Sequence, residues 1–145
     1  MAPDVPSNRL ARVLGGMLLG MGALHFAVPK PFDEIVPPEI AGALGTDART
    51  LTYASGVAEV GIGAGLLVPQ TRRLAAGSAA ALFVAVFPGN IAQLTEHRDA
   101  FGLTSDTSRA VRLVFQPVLV VWAVWSTGAW RWWRRRRVPP PEQHA

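Results

Sequence analysis

The sequence predicts an all-α fold, a bundle of four transmembrane helices with both termini on the cytoplasmic side. Three observations predict it. Apolar residues make up half of the 145, and they fall in blocks, not in the alternation of strands or on one stripe of surface helices. Four blocks reach the roughly 20 residues that a helix needs to cross a hydrocarbon core. The net charge of +4 is concentrated beside those blocks, in the C-terminal tail and one short turn, where the cytoplasmic edge of a bilayer collects Lys and Arg. A uniformly basic surface would suggest nucleic acid; this pattern makes the lipid bilayer the expected partner, and no nucleic acid.

The chain reads as one membrane domain over residues 9–133, between an N-terminal tail at 1–8 and a basic, Pro-rich cytoplasmic tail at 134–145. The first helix is expected over 9–28, closed by Pro29 and Pro31. Arg9 and Arg12 before an apolar run resemble a signal peptide, but the run is long and lacks a small-x-small cleavage site, so a retained helix is expected. The second helix is expected over 49–68, closed by Pro69, with Tyr53 and Glu59 as its ionisable groups away from the ends. The third is expected over 72–94, uncharged after Arg73, and the fourth over 109–130. Only Pro69, Gln70 and Thr71 join the second and third, which must form an antiparallel hairpin.

The loop at 29–48 mixes Phe32, Ile35, Val36 and Ile40 with Asp33, Glu34 and Glu39, and Pro37-Pro38 forbids one continuous helix. That pattern suits a short amphipathic lid on the membrane surface. The second outer loop, 96–108, is polar. With the N-terminus inside, nine Lys and Arg residues lie on the cytoplasmic side and five outside, which sets the orientation. Trp130, Trp132 and Trp133 beside Arg134 to Arg137 are expected to anchor the last helix at the headgroups. Gly16-x-x-x-Gly20 and Gly61-x-x-x-Gly65 are expected to mark close helix packing.

An ionisable group in hydrocarbon costs about 2.5–3.5 kcal/mol on insertion scales, so it faces the bundle interior and finds a partner. Depth counted along each helix puts His25, Asn90, Arg112 and Gln116 in the outer half and Glu59 near the middle. Thr52, Ser55 and Glu59 share one face, Tyr53 lies near the outer mouth, and Arg109, Arg112 and Gln116 share another face. The cytoplasmic half offers only Ser78 and Ser126. These depths predict a ligand-binding pocket open to the outer surface, built from His25, Tyr53, Ser55, Glu59, Asn90, Arg112 and Gln116. Simpler roles stand beside that one. Glu59 can be protonated and bonded to Ser55, His25 can be an interfacial residue satisfied by water, Asn90 and Gln116 can be interhelical glue, and Arg112 can be a snorkelling anchor. One His and one Glu are too few for structural zinc, so no metal is expected. No catalytic residue is identified. The lack of cysteine excludes thiol redox chemistry and thiolate metal ligation within the chain.

The run His25-Phe26-x-x-Pro29-x-x-Phe32-x-x-Ile35-Val36-Pro37-Pro38 resembles the start of DoxX-like small membrane proteins. So do Tyr53-x-Ser55-Gly56-x-x-Glu59, then Gly63-x-Gly65-Leu66-Leu67-x-Pro69-x-Thr71-Arg72, Phe87-Pro88-x-Asn90-Ile91, and Arg112-x-x-x-Gln116-x-x-Leu119-x-x-Trp122. The resemblance covers residues 10–127. It implies four membrane helices in a cell-membrane protein, and a link to membrane redox or stress metabolism, since some members sit in redox complexes. It does not make the chain an enzyme by itself; an accessory, non-catalytic subunit or a small-molecule-binding bundle is the expectation. A quinone would suit such a pocket, with its carbonyls accepting hydrogen bonds from Arg, His, Asn or Gln. A redox-complex protein and a second copy of the chain are the expected kinds of protein partner. A small-solute transporter acting as an oligomer and a purely structural membrane partner are the alternatives.

Overall fold

The computed structural model describes residues 5–126. The expected end of the fourth helix at 127–130, the Trp and Arg anchor and both terminal tails fall largely outside that range. The described chain forms α1 (Val5–Ala27), α2 (Lys30–Asp33), α3 (Pro38–Ala43), α4 (Ala48–Leu67), α5 (Arg72–Ala85), α6 (Phe87–Thr95) and α7 (Asp106–Trp125). Three spans are long and apolar enough to cross a membrane: Asn8–Ala27, Arg72–Thr95 and Asp106–Trp125. The second of these joins α5 and α6. Helix α4, also 20 residues long, is not among these three. Large apolar side chains point outward along the spans, among them Val13, Leu74, Val114, Phe115 and Trp125. An apolar exterior of that extent fits lipid and not water.

Helices start and stop where local chemistry dictates. Asp47 caps α4, its carboxylate accepting the Thr50 N–H at 2.8 Å, and Ser105 caps α7 by accepting from the Ser108 N–H at 3.2 Å. Pro29 follows the end of α1 and Pro69 the end of α4. The last carbonyls of α4 find a donor in Arg72, whose Nε reaches Leu66 O at 2.8 Å and whose Nη2 reaches Leu67 O at 3.2 Å. The same guanidinium bonds the Asn8 side chain. One buried arginine thus ties the start of α1 to the α4–α5 hairpin.

The expected continuous third helix is corrected. It breaks at Val86, between α5 and α6. Pro88 has no N–H to give to the carbonyl four residues back, and its ring clashes there, so the helix restarts with Pro88 in its first turn. Gln116 of α7 fills part of the gap, its Nε2 donating to Phe83 O at 2.8 Å.

The glycine expectation is also corrected. A Cβ on Gly16, Gly20 or Gly61 would meet nothing within 4 Å. The close approach of α1 and α4 is made by Gly15 against Gly63 and by Gly22 against Gly56. A Cβ on Gly15 would come 2.8 Å from Gly63 O, and one on Gly22 would come 2.9 Å from Gly56 O. Gly65 does pack, against Ala75 of α5. In lipid such backbone proximity is a main source of helix affinity, because van der Waals contact replaces the missing hydrophobic drive. The apolar core sits in the half of the bundle nearer the hairpin: Leu14, Leu18, Leu66, Ala75, Ala76, Ala79, Phe83 and Ala123. The other half is covered by the segment between α1 and α4. It takes the amphipathic lid form that the residues predict, with α2 and α3 separated at Pro37 and with Phe32 and Ala41 buried.

Candidate functional site beneath the lid

Helix α1 delivers His25 to the lid end through the glycine contact, since a Cβ on Gly56 would lie 2.7 Å from the His25 Cβ. The absence of that atom lets the imidazole reach α4. His25 Nδ1 stands 2.8 Å from Met21 O. A carbonyl only accepts, so Nδ1 carries the proton and donates it one turn back; Nε2 of a neutral ring is then a bare acceptor. Glu59 Oε2 lies 3.5 Å from the same Nδ1, with both side chains nearly buried, at 7% and 12% exposure. That oxygen receives no hydrogen bond. Ser55, one turn earlier on α4, interacts with the same carboxyl group.

The lid closes over this pair. Phe32 stacks on the His25 ring with centroids 3.7 Å apart. The edge of Phe101, from the loop before α7, meets Phe32 at 4.7 Å. Arg112 of α7 lies over Phe101, 4.4 Å from its centroid, and its Nη1 donates to Gln93 Oε1 of α6 at 2.9 Å. Gln93 in turn donates to Ala100 O at 3.3 Å. A continuous path therefore runs from Glu59 through His25, Phe32, Phe101 and Arg112 to Gln93, and it joins α4, α1, the lid, the second loop, α7 and α6. Cation–π and edge-to-face contacts of this kind contribute on the order of 0.5–2 kcal/mol each.

The residues expected to line one pocket divide into groups. His25, Ser55 and Glu59 come together. Asn90 is buried, with its Oδ1 unpartnered, and it follows Gly89, where a Cβ would come 3.0 Å from Ile35 O of the lid. Arg112 is joined to the His25 pair only through the two phenylalanine rings. Gln116 is spent on the α5–α6 break. Tyr53 sits outside the lid, 38% exposed, stacked on Phe26 at 5.4 Å and faced by Arg49 at 5.7 Å. Arg109 is turned to the second loop, where it binds Asp99, Asp106 and Arg98 O. The site has a roof, with Phe32 and His25 each only 5% exposed. Two open apolar grooves lie elsewhere, one along Leu10, Val118 and Trp122, the other along Phe83, Phe87 and Pro117.

Three participants escape a reading of depth alone. Gln93 is a lone amide in an apolar stretch, three residues after Asn90, and the depth argument applied to it would have found it. Phe32 is legible as a lid residue but not as the cover of His25. Phe101 carries no signal. It stands in a polar loop at a positive φ of 58°, next to Gly102, and only the folded loop brings its ring against Phe32.

The family model described as Domain of unknown function (DUF8561) matches residues 14–127. The chain belongs to this family. The matched DUF8561 region takes in all seven residues considered above, the lid and the second loop. No curated protein and no solved structure matches the chain. The geometry of this DUF8561 site must therefore carry its own interpretation.

Proposed function

We propose that this protein is a multi-pass cell-membrane protein whose lid end binds a small membrane-soluble molecule, without catalysing a reaction on its own. The observation that carries this is the His25–Glu59 pair, an acid and an imidazole buried under an aromatic roof with a carboxylate oxygen left unbonded. Groups of this kind at membrane depth are costly and are retained where they serve a ligand. In this reading α4 is the fourth span. It runs beside α1 with glycine contacts near both ends of the shared length, so it shares the depth of a helix that crosses. Both termini then lie in the cytoplasm, in line with the Lys and Arg count. The DoxX-like resemblance, and with it a place beside a membrane redox system and a quinone-like ligand, belongs to the same proposal. It rests on the motif residues, several of which meet at this site.

Two measurements test the reading. Protein extracted in native lipid is expected to retain a small molecule by mass spectrometry, and His25→Ala with Glu59→Gln is expected to release it without loss of fold. An unchanged set of retained molecules removes the ligand-binding role. Because the chain has no cysteine, single thiols report topology directly. Thr46→Cys should be labelled by an impermeant reagent from outside, and Gln70→Cys only after permeabilisation; labelling of both from one side breaks the four-span arrangement.

A structural role is favoured for one subset by its own observation. The amides of Gln116 and Gln93 and one Arg112 N–H are engaged with protein groups, so these residues act as interhelical ties.

A further inference from the structure

The lid end is unevenly supplied with hydrogen-bonding groups. His25 Nδ1 donates to Met21 O, Arg112 Nη1 to Gln93 Oε1, Gln93 Nε2 to Ala100 O and Gln116 Nε2 to Phe83 O. The buried oxygens left over include Glu59 Oε2, Asn90 Oδ1 and Thr52 Oγ1. Thr52 and Asn90 are only 2% and 5% exposed, and Thr52 is two turns before Glu59 on the same face of α4. A buried acceptor without a donor costs about 1–3 kcal/mol. A ligand that brings an O–H or N–H would satisfy Glu59 Oε2 and Asn90 Oδ1. The Asn90 amide oxygen only accepts, so a hydroxyl, as on a phenol or the reduced form of a quinone, suits it where a bare carbonyl does not.

The same place holds a seat for a ring. Phe32 lies against the His25 imidazole and against the edge of Phe101, yet it carries no polar atom to offer the oxygens. It is held there from outside, by contacts that water can replace: Arg49 to Asp33 at 2.7 Å, and Arg98 Nη1 to Glu34 O and Val36 O at 3.1 and 3.2 Å. An exposed ion pair of the Arg49–Asp33 type contributes about 0–1 kcal/mol, and each Arg98 hydrogen bond to a lid carbonyl about 1 kcal/mol. A cationic amine is disfavoured by Arg112 on Phe101.

We propose that Phe32 is a plug occupying the ring seat of a phenol-class ligand, whose hydroxyl donates to one of the unpartnered oxygens, Glu59 Oε2 or Asn90 Oδ1, once the lid lifts. This rests on the small-molecule reading above and adds the chemistry of the ligand and the way in.

The test uses the full-length protein in lipid nanodiscs, with 4-propylphenol and its methyl ether, 4-propylanisole, as probes and empty nanodiscs to correct for partitioning. The two probes share ring and tail and differ in the O–H. The phenol is expected to bind about tenfold tighter, the worth of one hydrogen bond to a buried or charged acceptor. The ratio should fall toward one in Glu59→Leu combined with Asn90→Leu. Equal binding of the two probes overturns the inference and leaves the small-molecule site standing. Binding of neither overturns both. Phe32→Ala should tighten phenol binding several-fold; weaker binding in a variant with an unchanged unfolding midpoint shows that Phe32 is not a plug. Should Phe32→Ala unfold, Arg98→Gln with Arg49→Gln loosens the lid without touching the seat. Faster phenol association is then the expected result, and an unchanged rate overturns the gating role.

Discussion

The two halves of the bundle are built on opposite principles. Toward the hairpin, helices touch through glycine, alanine and leucine, and the one buried charge, Arg72, spends itself on helix-end carbonyls and on Asn8. Toward the lid, the interior holds an acid, an imidazole, amides and a threonine, and several of their oxygens have no partner. The first half is packed for stability and the second is stocked with groups that lower it. Natural proteins tolerate such local conflict at functional sites. The contrast is therefore an argument for where function lies, and it can be broken by measuring stability on each side.

The largest effect is expected at the glycine contact. Gly63→Val places a side chain 2.8 Å from the Gly15 carbonyl and 3.0 Å from the Leu19 amide, and backbone atoms cannot swing away. A loss of about 3 kcal/mol is expected in unfolding from detergent micelles, at the upper end for overpacking. Gly16→Ala, on an open face, should be neutral or stabilising by up to about 1 kcal/mol. If the two behave alike, the assignment of the contact face is wrong.

Leu14→Ala in the hairpin-side core should cost about 2 kcal/mol by the same assay. That is the low end for leucine truncation, because in lipid the lost packing remains while the transfer from water largely drops out. Gln116→Leu should cost about 1 kcal/mol, since the Phe83 carbonyl at the α5–α6 break loses its donor. Hydrogen exchange should rise locally at 86–90 in that variant, and an unchanged pattern would show that the break needs no tie.

The smallest change in stability, with the opposite sign, belongs to the lid end. Glu59→Leu removes an oxygen that nothing satisfies and should leave the unfolding free energy unchanged or raise it by up to about 1 kcal/mol. The same variant should lose the retained small molecule. A loss of stability as large as that of Leu14→Ala would make Glu59 structural and erase the contrast between the halves.

Much of this was legible from residue order. The ends of α1 and α4 were readable from Pro29 and Pro69, but the break before Pro88 was not, because a proline inside an apolar run can kink a helix or end it. The lid was readable from Pro37-Pro38 among alternating apolar and acidic residues. Depth put His25 in the outer half and Glu59 near the middle, close enough to assign both to one pocket, but only the packing of α1 on α4 brings them to 3.5 Å. Rotation about the helix axes was far less legible. Gly15 and Gly16 have the same depth and composition, yet one meets α4 and the other faces outward. The same ambiguity sent Tyr53 outside the lid.

The sequence by itself determined that the chain is helical, that apolar segments long enough to cross a membrane recur along it, and that Pro29 and Pro69 close two helices, since these are set by local chemistry along one chain. Only the tertiary structure decided that Phe32 roofs His25, that Phe101 links it to Arg112, and that Gln93 and Gln116 are spent on protein while Glu59 and Asn90 keep bare oxygens. Those are relations between segments far apart in the chain, and they depend on how each helix is turned when its neighbours pack against it.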